Sequence, residues 1–230
     1  MSLKAKKNDW VRLFSVVSSY TKDAKVTVNE GRATILAIDA AKVAIVKGSI
    51  DCEGECDDFT LNVEQVLKAL NAAGGDDVTF SFDENMSDLT IIGNARVKMP
   101  LEADMGDIRD INRSMFDEIN AQGKFNPADV EQCVSYGLWN KEGAVTITIK
   151  DGTTNVRVGQ ERHTAEVDCE GAEGEAFATY PLDYFDTMLK QSKGSEVTVK
   201  IPNNDYPALI EWQSGTGDFS LVIAPRVEQE

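Results

Sequence analysis

Residues 102–123 read EADMGDIRDINRSMFDEINAQG. The stretch carries six carboxylates, at Glu102, Asp104, Asp107, Asp110, Asp117 and Glu118, against the two arginines Arg109 and Arg113. It has no sustained apolar periodicity and so little surface to bury, and it reads as a solvated connector rather than core. On either side of it the chain passes through one order of elements twice. Helical spacing of apolar residues starts near Asp9 and again near Asn62; beyond the connector it starts near Asn126 and again near Pro181. Each of these segments leads into runs of strand character. A period of about half the chain predicts two copies of one domain, over residues 1–101 and 124–230, joined by the connector 102–123.

The local signals support that division. Asp9 is the expected N-cap of a first helix, in which Trp10, Leu13, Phe14 and Val17 fall at i, i+3, i+4 and i+7. Val26 and Val28 alternate with polar residues up to a turn at Asn29-Glu30-Gly31, and Val43–Val46 is a buried-strand run. The second helix places Val63, Val66, Leu67 and Leu70 on one face and stops at Gly74-Gly75. Strands are expected over Asp77–Phe82 and Leu89–Met99. In the second half, Asn126-Pro127 opens a helix with Pro in its first turn and Val130, Cys133 and Val134 as its apolar face. AVTITIK (144–150) is an alternating strand that turns back at Asp151-Gly152, and strand character continues through Glu161–Cys169. A fourth helix from Pro181 buries Leu182, Phe185 and Leu189 and leads to three short strands. Two helices with several strands in each half define an α+β fold of two similar domains, each packing its helices on antiparallel sheet.

At 230 residues the chain has room for two domains of ordinary size. Its net charge of −16 repels nucleic acid at long range, so contact with DNA requires a local basic patch. The charge fits either a salty cytoplasm or an acidic surface for a partner. Lys4, Lys6 and Lys7 precede no long apolar region, and no apolar run approaches the ~20 residues of a membrane span. A cytoplasmic or nucleoid-associated protein without signal peptide or membrane segment is expected. Of the four cysteines, Cys52 and Cys56 sit in an acidic loop, DCEGECDD, where zinc or a disulfide is conceivable, but Cys133 and Cys169 are isolated. Structural zinc sites pair their cysteines twice, so free thiols are the expectation and no metal or cofactor is assigned.

The pattern required for catalysis is missing. The single histidine, His163, lies in an expected strand with no nucleophile suggested beside it. Gly74-Gly75 follows a helix, whereas a phosphate-binding loop precedes one. Asp57-Asp58 and Asp76-Asp77 fall in turns. No enzyme is expected.

Several segments, in this order of elements, resemble the proliferating cell nuclear antigen (PCNA) family of DNA sliding clamps, especially its archaeal or archaeal-virus type. The most specific is the ending SEVTVKIPNNDYPALIEWQSGTGDFSLVIAPRVEQE (195–230), with Ala224-Pro225-Arg226-Val227-Glu228 after an apolar strand. LAIDAAKVAIVKGSI (36–50), LNVEQVLKALNAAGGDD (61–77), Met99-Pro100-Leu101 and FATYPLDYFDTMLKQSKGSEVTV (177–199) extend the likeness over nearly the whole chain. It is weakest from Glu102 to about Ala144.

The resemblance implies three two-domain subunits joined head to tail in a closed ring around duplex DNA, with helices lining the hole. Polymerase, clamp loader, flap nuclease and ligase would dock through short peptides. Carried over by position, the peptide groove would comprise Ile38, Lys42 and Val43 with Ala178, Pro207, Val222, Ala224 and Pro225. Arg12, Lys68, Lys190 and Lys193 would face DNA. The subunit interface would pair Arg96 and Val97 with the strand of Glu161, His163, Ala165 and Val167 on a second copy. The chain departs from the family where Gln132, Ser135, Asp186 and Thr187 stand at helix positions usually rich in Lys and Arg. That departure keeps a second reading open: a clamp-fold interaction protein, either a heterotrimer subunit or a decoy for clamp-binding peptides, that does not encircle DNA alone.

Overall fold

The computed structural model describes residues 1–106, 116, 120–160 and 163–226. They form two compact units, Met1–Asp110 with Gly215–Phe219, and Ile111–Ser214 with Ser220–Glu230.

The first unit runs β1 (Ser2–Lys6), α1 (Lys7–Ser18), β2 (Asp23–Asn29), β3 (Arg32–Ile38), β4 (Ala44–Asp51), β5 (Glu53–Glu55), β6 (Phe59–Asn62), α2 (Val63–Ala73), β7 (Asp77–Phe82), β8 (Asp88–Ile92) and β9 (Arg96–Pro100). One sheet has the order β5-β1-β7-β8-β9, and β4-β3-β2-β6 are consecutive in another. Among the described residues the ladders within this unit are antiparallel, and burial alternates along β3 and β4 as a half-buried sheet requires. The apolar stripe of α1 is buried, with Val16 added to it, and Trp10 stacks on Phe80 at 4.3 Å between ring centroids. This helix lies close on its sheet because Gly48 leaves room: a Cβ there would stand 2.7 Å from Leu13 Cδ1. Asp9 is not the N-cap. Lys6 holds that position, and Asp9 sits buried in the first turn, where its carboxylate accepts from Arg12 at 3.4 Å and Thr216 at 2.9 Å. Burial among donors outweighs capping at that carboxylate. By contrast Asn62 does cap α2, accepting from the Gln65 amide at 3.0 Å, and Gly74 ends the helix at φ +64°.

The second unit repeats the plan: β10 (Ala121–Phe125), α3 (Pro127–Trp139), β11 (Ala144–Lys150), β12 (Thr153–Gln160), β13 (His163–Glu170), β14 (Glu173–Gly174), β15 (Ala176–Pro181), α4 (Leu182–Gln191), β16 (Val197–Ile201), β17 (Ala208–Ser214) and β18 (Gly217–Ile223). Its strands follow the orders β14-β10-β16-β17-β18 and β13-β12-β11-β15. Position for position these are the orders of the first unit. Within the units α1 packs on α2 and α3 packs on α4. Val130, Cys133, Val134, Leu182, Phe185 and Leu189 are buried as their spacing predicts.

Four local expectations are corrected. Leu89–Met99 is a hairpin of β8 and β9, not one run, because the chain turns at Gly93–Ala95 and the Ala95 amide bonds to the Ala73 carbonyl at the end of α2. The acidic stretch around Cys52 is no loop: Glu53–Glu55 forms β5 and pairs with β1. β10 begins at Ala121, inside the expected connector, because its carbonyls and amides are taken up by β16. Phe116 of the connector is buried. Residues 107–115 and 117–119, and with them most of the connector's carboxylates, lie outside the described residues.

Candidate functional site

The segment carrying Ile38, Lys42 and Val43 is organised by one buried carboxylate. Asp39 accepts from the amides of Ala41 at 3.0 Å, Val43 at 2.7 Å and Ala44 at 2.6 Å, and its carbonyl accepts from the Lys42 amide. This closes a tight loop between β3 and β4 in which Lys42 takes a left-handed φ of 57°. Ile38 and Val43 are left half-buried at its two ends, and Lys42 is exposed. They form an apolar step rimmed by a cation, neither core nor ordinary loop.

Of the remaining groove candidates, in the second unit, Val222 lies on β18 and Ala178 on β15, and the chain around Pro207, Ala224 and Pro225 runs along the outer edge of β15. The Arg226 amide bonds to the Thr179 carbonyl at 2.7 Å, which lays the C-terminal residues Ala224 and Pro225 along that strand. The loop before Pro207 is tied to the same edge. Asp205 donates its amide to the Phe177 carbonyl, the Phe177 amide donates to Asn204 Oδ1, and the Tyr180 hydroxyl donates to the Tyr206 carbonyl at 3.0 Å. Burial, and Asp205 after it, pushes the Tyr180 hydroxyl well above its ordinary pKa, so it stays a donor. Pro207, Val222, Ala224 and Pro225 are half-buried, as an apolar docking surface requires, but Ala178 is fully buried and offers no side-chain surface. Beside it Phe177 and Tyr206 are exposed. Sequence reasoning missed both, since an alternating strand gives no sign of which face its sheet leaves uncovered.

The candidate DNA-facing cations each meet a carboxylate. Arg12 reaches Asp9 at 3.4 Å, Lys68 reaches Glu64 at 2.7 Å, Lys190 reaches Asp186 one turn back, and Lys193 reaches Glu131 at 3.7 Å. The hydrogen bond from Lys68 holds the Glu64 carboxyl below its ordinary range. Over the four helices the cations are Lys7, Arg12, Lys68 and Lys190, and the carboxylates are Asp9, Glu64, Asp129, Glu131, Asp183 and Asp186. These helices carry no basic patch.

The expected interface residues occupy end strands. Arg96 and Val97 lie on β9, which ends the five-stranded sheet, and His163, Ala165 and Val167 lie on β13, which ends the four-stranded sheet. Glu161 lies outside the described residues. Thiol chemistry is suppressed: burial raises Cys52, Cys133 and Cys169, and burial, Cys52, Asp57 and Asp58 together push Cys56 up to about 12. Among the described residues no cluster of His, Cys, Asp or Glu suits a metal ion, and no helix is long and apolar enough to cross a membrane.

Two similar α+β units, each with a helix pair and identical strand order, define the sliding-clamp fold. Solved structures of PCNA match it. They include the C-terminal region of FEN-1 bound to A. fulgidus PCNA (TM-score 0.83, 14% identity, covering 100% of this chain and 99% of that one). Two others are PCNA from Thermococcus kodakaraensis (0.83, 16%, 98% and 99%) and the PCNA2–PCNA3 complex from Sulfolobus tokodaii (0.81, 15%, 99% and 100%). No protein-family profile and no curated protein sequence matches the chain. The chain has the PCNA clamp fold over its full length, at a sequence identity where fold alone is shared.

Proposed function

We propose that this chain is the subunit of a DNA sliding clamp. Three copies close head to tail around duplex DNA, and the ring tethers a replicative polymerase and other replication and repair enzymes by their clamp-binding peptides. The observation that carries this reading is the match of both units, end to end, to PCNA structures at TM-scores of 0.81–0.83. The work of such a protein is topological. A polymerase held on the ring finds the primer end again intramolecularly, so processivity follows from effective concentration and calls for no catalytic residue. The helices of both units face the DNA, with Arg12, Lys68 and Lys190 on them and Lys193 just after α4 as the DNA-facing cations. Clamp loader, flap nuclease and ligase dock by the same kind of peptide.

The peptide is received on the Asp39-organised step of Ile38, Lys42 and Val43, and on the apolar surface of Pro207, Val222, Ala224 and Pro225. Half-buried apolar side chains held by rigid backbone are what a hydrophobic peptide plug needs. Ile38→Asp places an unpaired charge there, which costs several kcal/mol to desolvate against the peptide. Calorimetry with a peptide bearing a clamp-binding motif is expected to show at least ~100-fold weaker binding to the variant, with its assembly state unchanged. Wild-type affinity in an intact assembly would place the groove elsewhere.

A second reading is favoured by one observation. The four candidate DNA-facing cations are each paired with a carboxylate, which suits a heterotrimer subunit or a decoy for clamp-binding peptides that does not hold DNA alone. Such a protein binds the peptide yet forms no ring of its own.

A further inference from the structure

β9 and β13 end their sheets, and each carries two distinct rows of side chains. On β9, Arg96 and Lys98 are exposed on one face, while Val97 is half-buried and Met99 buried on the other. On β13, Glu166, Asp168 and Glu170 are exposed on one face, while Ala165, Val167 and Cys169 are half-buried on the other, above α3, where the Cys133 thiol reaches the Ala165 carbonyl. The row on β9 is cationic and the row on β13 anionic. Neighbouring strands offset part of each: Lys98 meets Asp88 at 2.8 Å, and Arg157 stands opposite Glu166 in the β12–β13 ladder. Among the described residues, Arg96 on β9 and, on β13, Glu170 and Asp168 remain without an opposite charge, Asp168 accepting from the neutral Asn155 amide at 2.8 Å. The other ends of these two sheets offer no such edge. β5 is three residues long, and β15 is covered by the Asp205 and Arg226 backbones.

We propose that these rows are the partner-selection element of the chain. When β9 of one copy extends the sheet of β13 in a second copy, the apolar rows meet on the helix side. The cationic row then lies opposite the anionic row on the outer side. Opposite charges across neighbouring strands stabilise the pair, and like charges destabilise it. β9 against β9, or β13 against β13, sets like charge on like, so the contact runs head to tail and excludes a two-fold dimer. A foreign clamp subunit joins only if its own edge carries the complementary row. This rests on the ring reading and adds to it the side chains that choose the neighbour. The acidic side continues into a hollow of about 460 Å³ lined by Asp129, Asp168 and Glu170, with Glu196 there paired to Lys124 at 2.9 Å.

The test uses four full-length proteins, with mass read by light scattering across a dilution series and folding checked by thermal melting. They are the wild type, Arg96→Glu/Lys98→Glu, Glu166→Lys/Asp168→Lys, and the protein with all four changes. All the substituted side chains are exposed, so every variant is expected to fold and melt cooperatively. The double variants should melt somewhat lower than the wild type, because they lose the Lys98–Asp88 or Glu166–Arg157 pairing and the stabilisation that assembly adds. Each double variant is expected to dissociate at a concentration at least tenfold higher than the wild type, and the quadruple variant to return to within a few fold of it. Mixing the two double variants should give open pairs, because an odd ring of alternating copies must contain one like-charged joint. Four proteins of equal mass and equal dissociation would overturn the inference and leave the ring intact. A folded quadruple variant that stays dissociated would also overturn it. A wild type that is monomeric throughout would instead refute the ring reading on which it rests.

Discussion

Asp39 gives up its hydration to three backbone amides, and that exchange fixes the loop that displays Ile38, Lys42 and Val43. A carboxylate that accepts several N–H groups is worth more than a neutral acceptor, and an amide left unpaired by its removal costs ~1–3 kcal/mol. Asp39→Ala is therefore expected to destabilise the protein by ~2 kcal/mol in denaturant titration and to weaken peptide binding by loosening the loop. Asp39→Asn, which keeps an acceptor, should lose less. Equal stability of all three proteins would mean the loop is held by its neighbours alone. The sequence showed Ile38 and Val43 by resemblance but not the agent that holds them, since an Asp after an apolar strand has many uses. Asp9 teaches the converse. Its position before an apolar stripe is an N-cap signal, yet its donors lie at Arg12 and at Thr216, far along the chain. Local spacing found Asn62, whose partner Gln65 is three residues away.

At the scale of elements, periodicity located the four helices of the described residues because each buries an apolar stripe, and burial enforces that period. Strands were read less well. β1 and β10 carry lysines and glycine beside their apolar residues and owe their place to partners at β7 and β16. Such pairing leaves little mark in a five-residue window. The open edges were invisible in the same way, because no residue type announces an end strand. An unpaired edge of ordinary length either finds a partner or aggregates, which gives the assembly a testable signature. Amide exchange at Arg96 and Lys98, whose N–H groups alternate with those bonded to β8 and face the open edge, is expected to be slow in the assembled protein and fast in a form dissociated by substitutions on β13. Fast exchange in both forms would remove β9 from the interface.

At the scale of the whole molecule, a duplicated fold and a net charge of −16 pull in different directions around DNA. Each neutralised phosphate contributes a slope of about −0.9 to log K against log salt. A DNA-facing set in which Arg12, Lys68, Lys190 and Lys193 already meet carboxylates is expected to give a shallow slope. Arg12→Ala/Lys68→Ala/Lys190→Ala should flatten it further without loss of fold, because these side chains lie opposite the buried stripes. An unchanged slope would mean that the helices do not face the DNA. Encirclement itself needs no attraction, because a closed ring stays on by topology. The duplication was legible from the spacing of helix starts and from the acidic connector between them. Ring closure was not, because it is a property of edges that meet only between copies. Light scattering of the purified protein at micromolar concentration tests that closure most directly. A mass three times the 25.2 kDa of the chain is the predicted result, and a mass of one chain at every concentration and salt would contradict it.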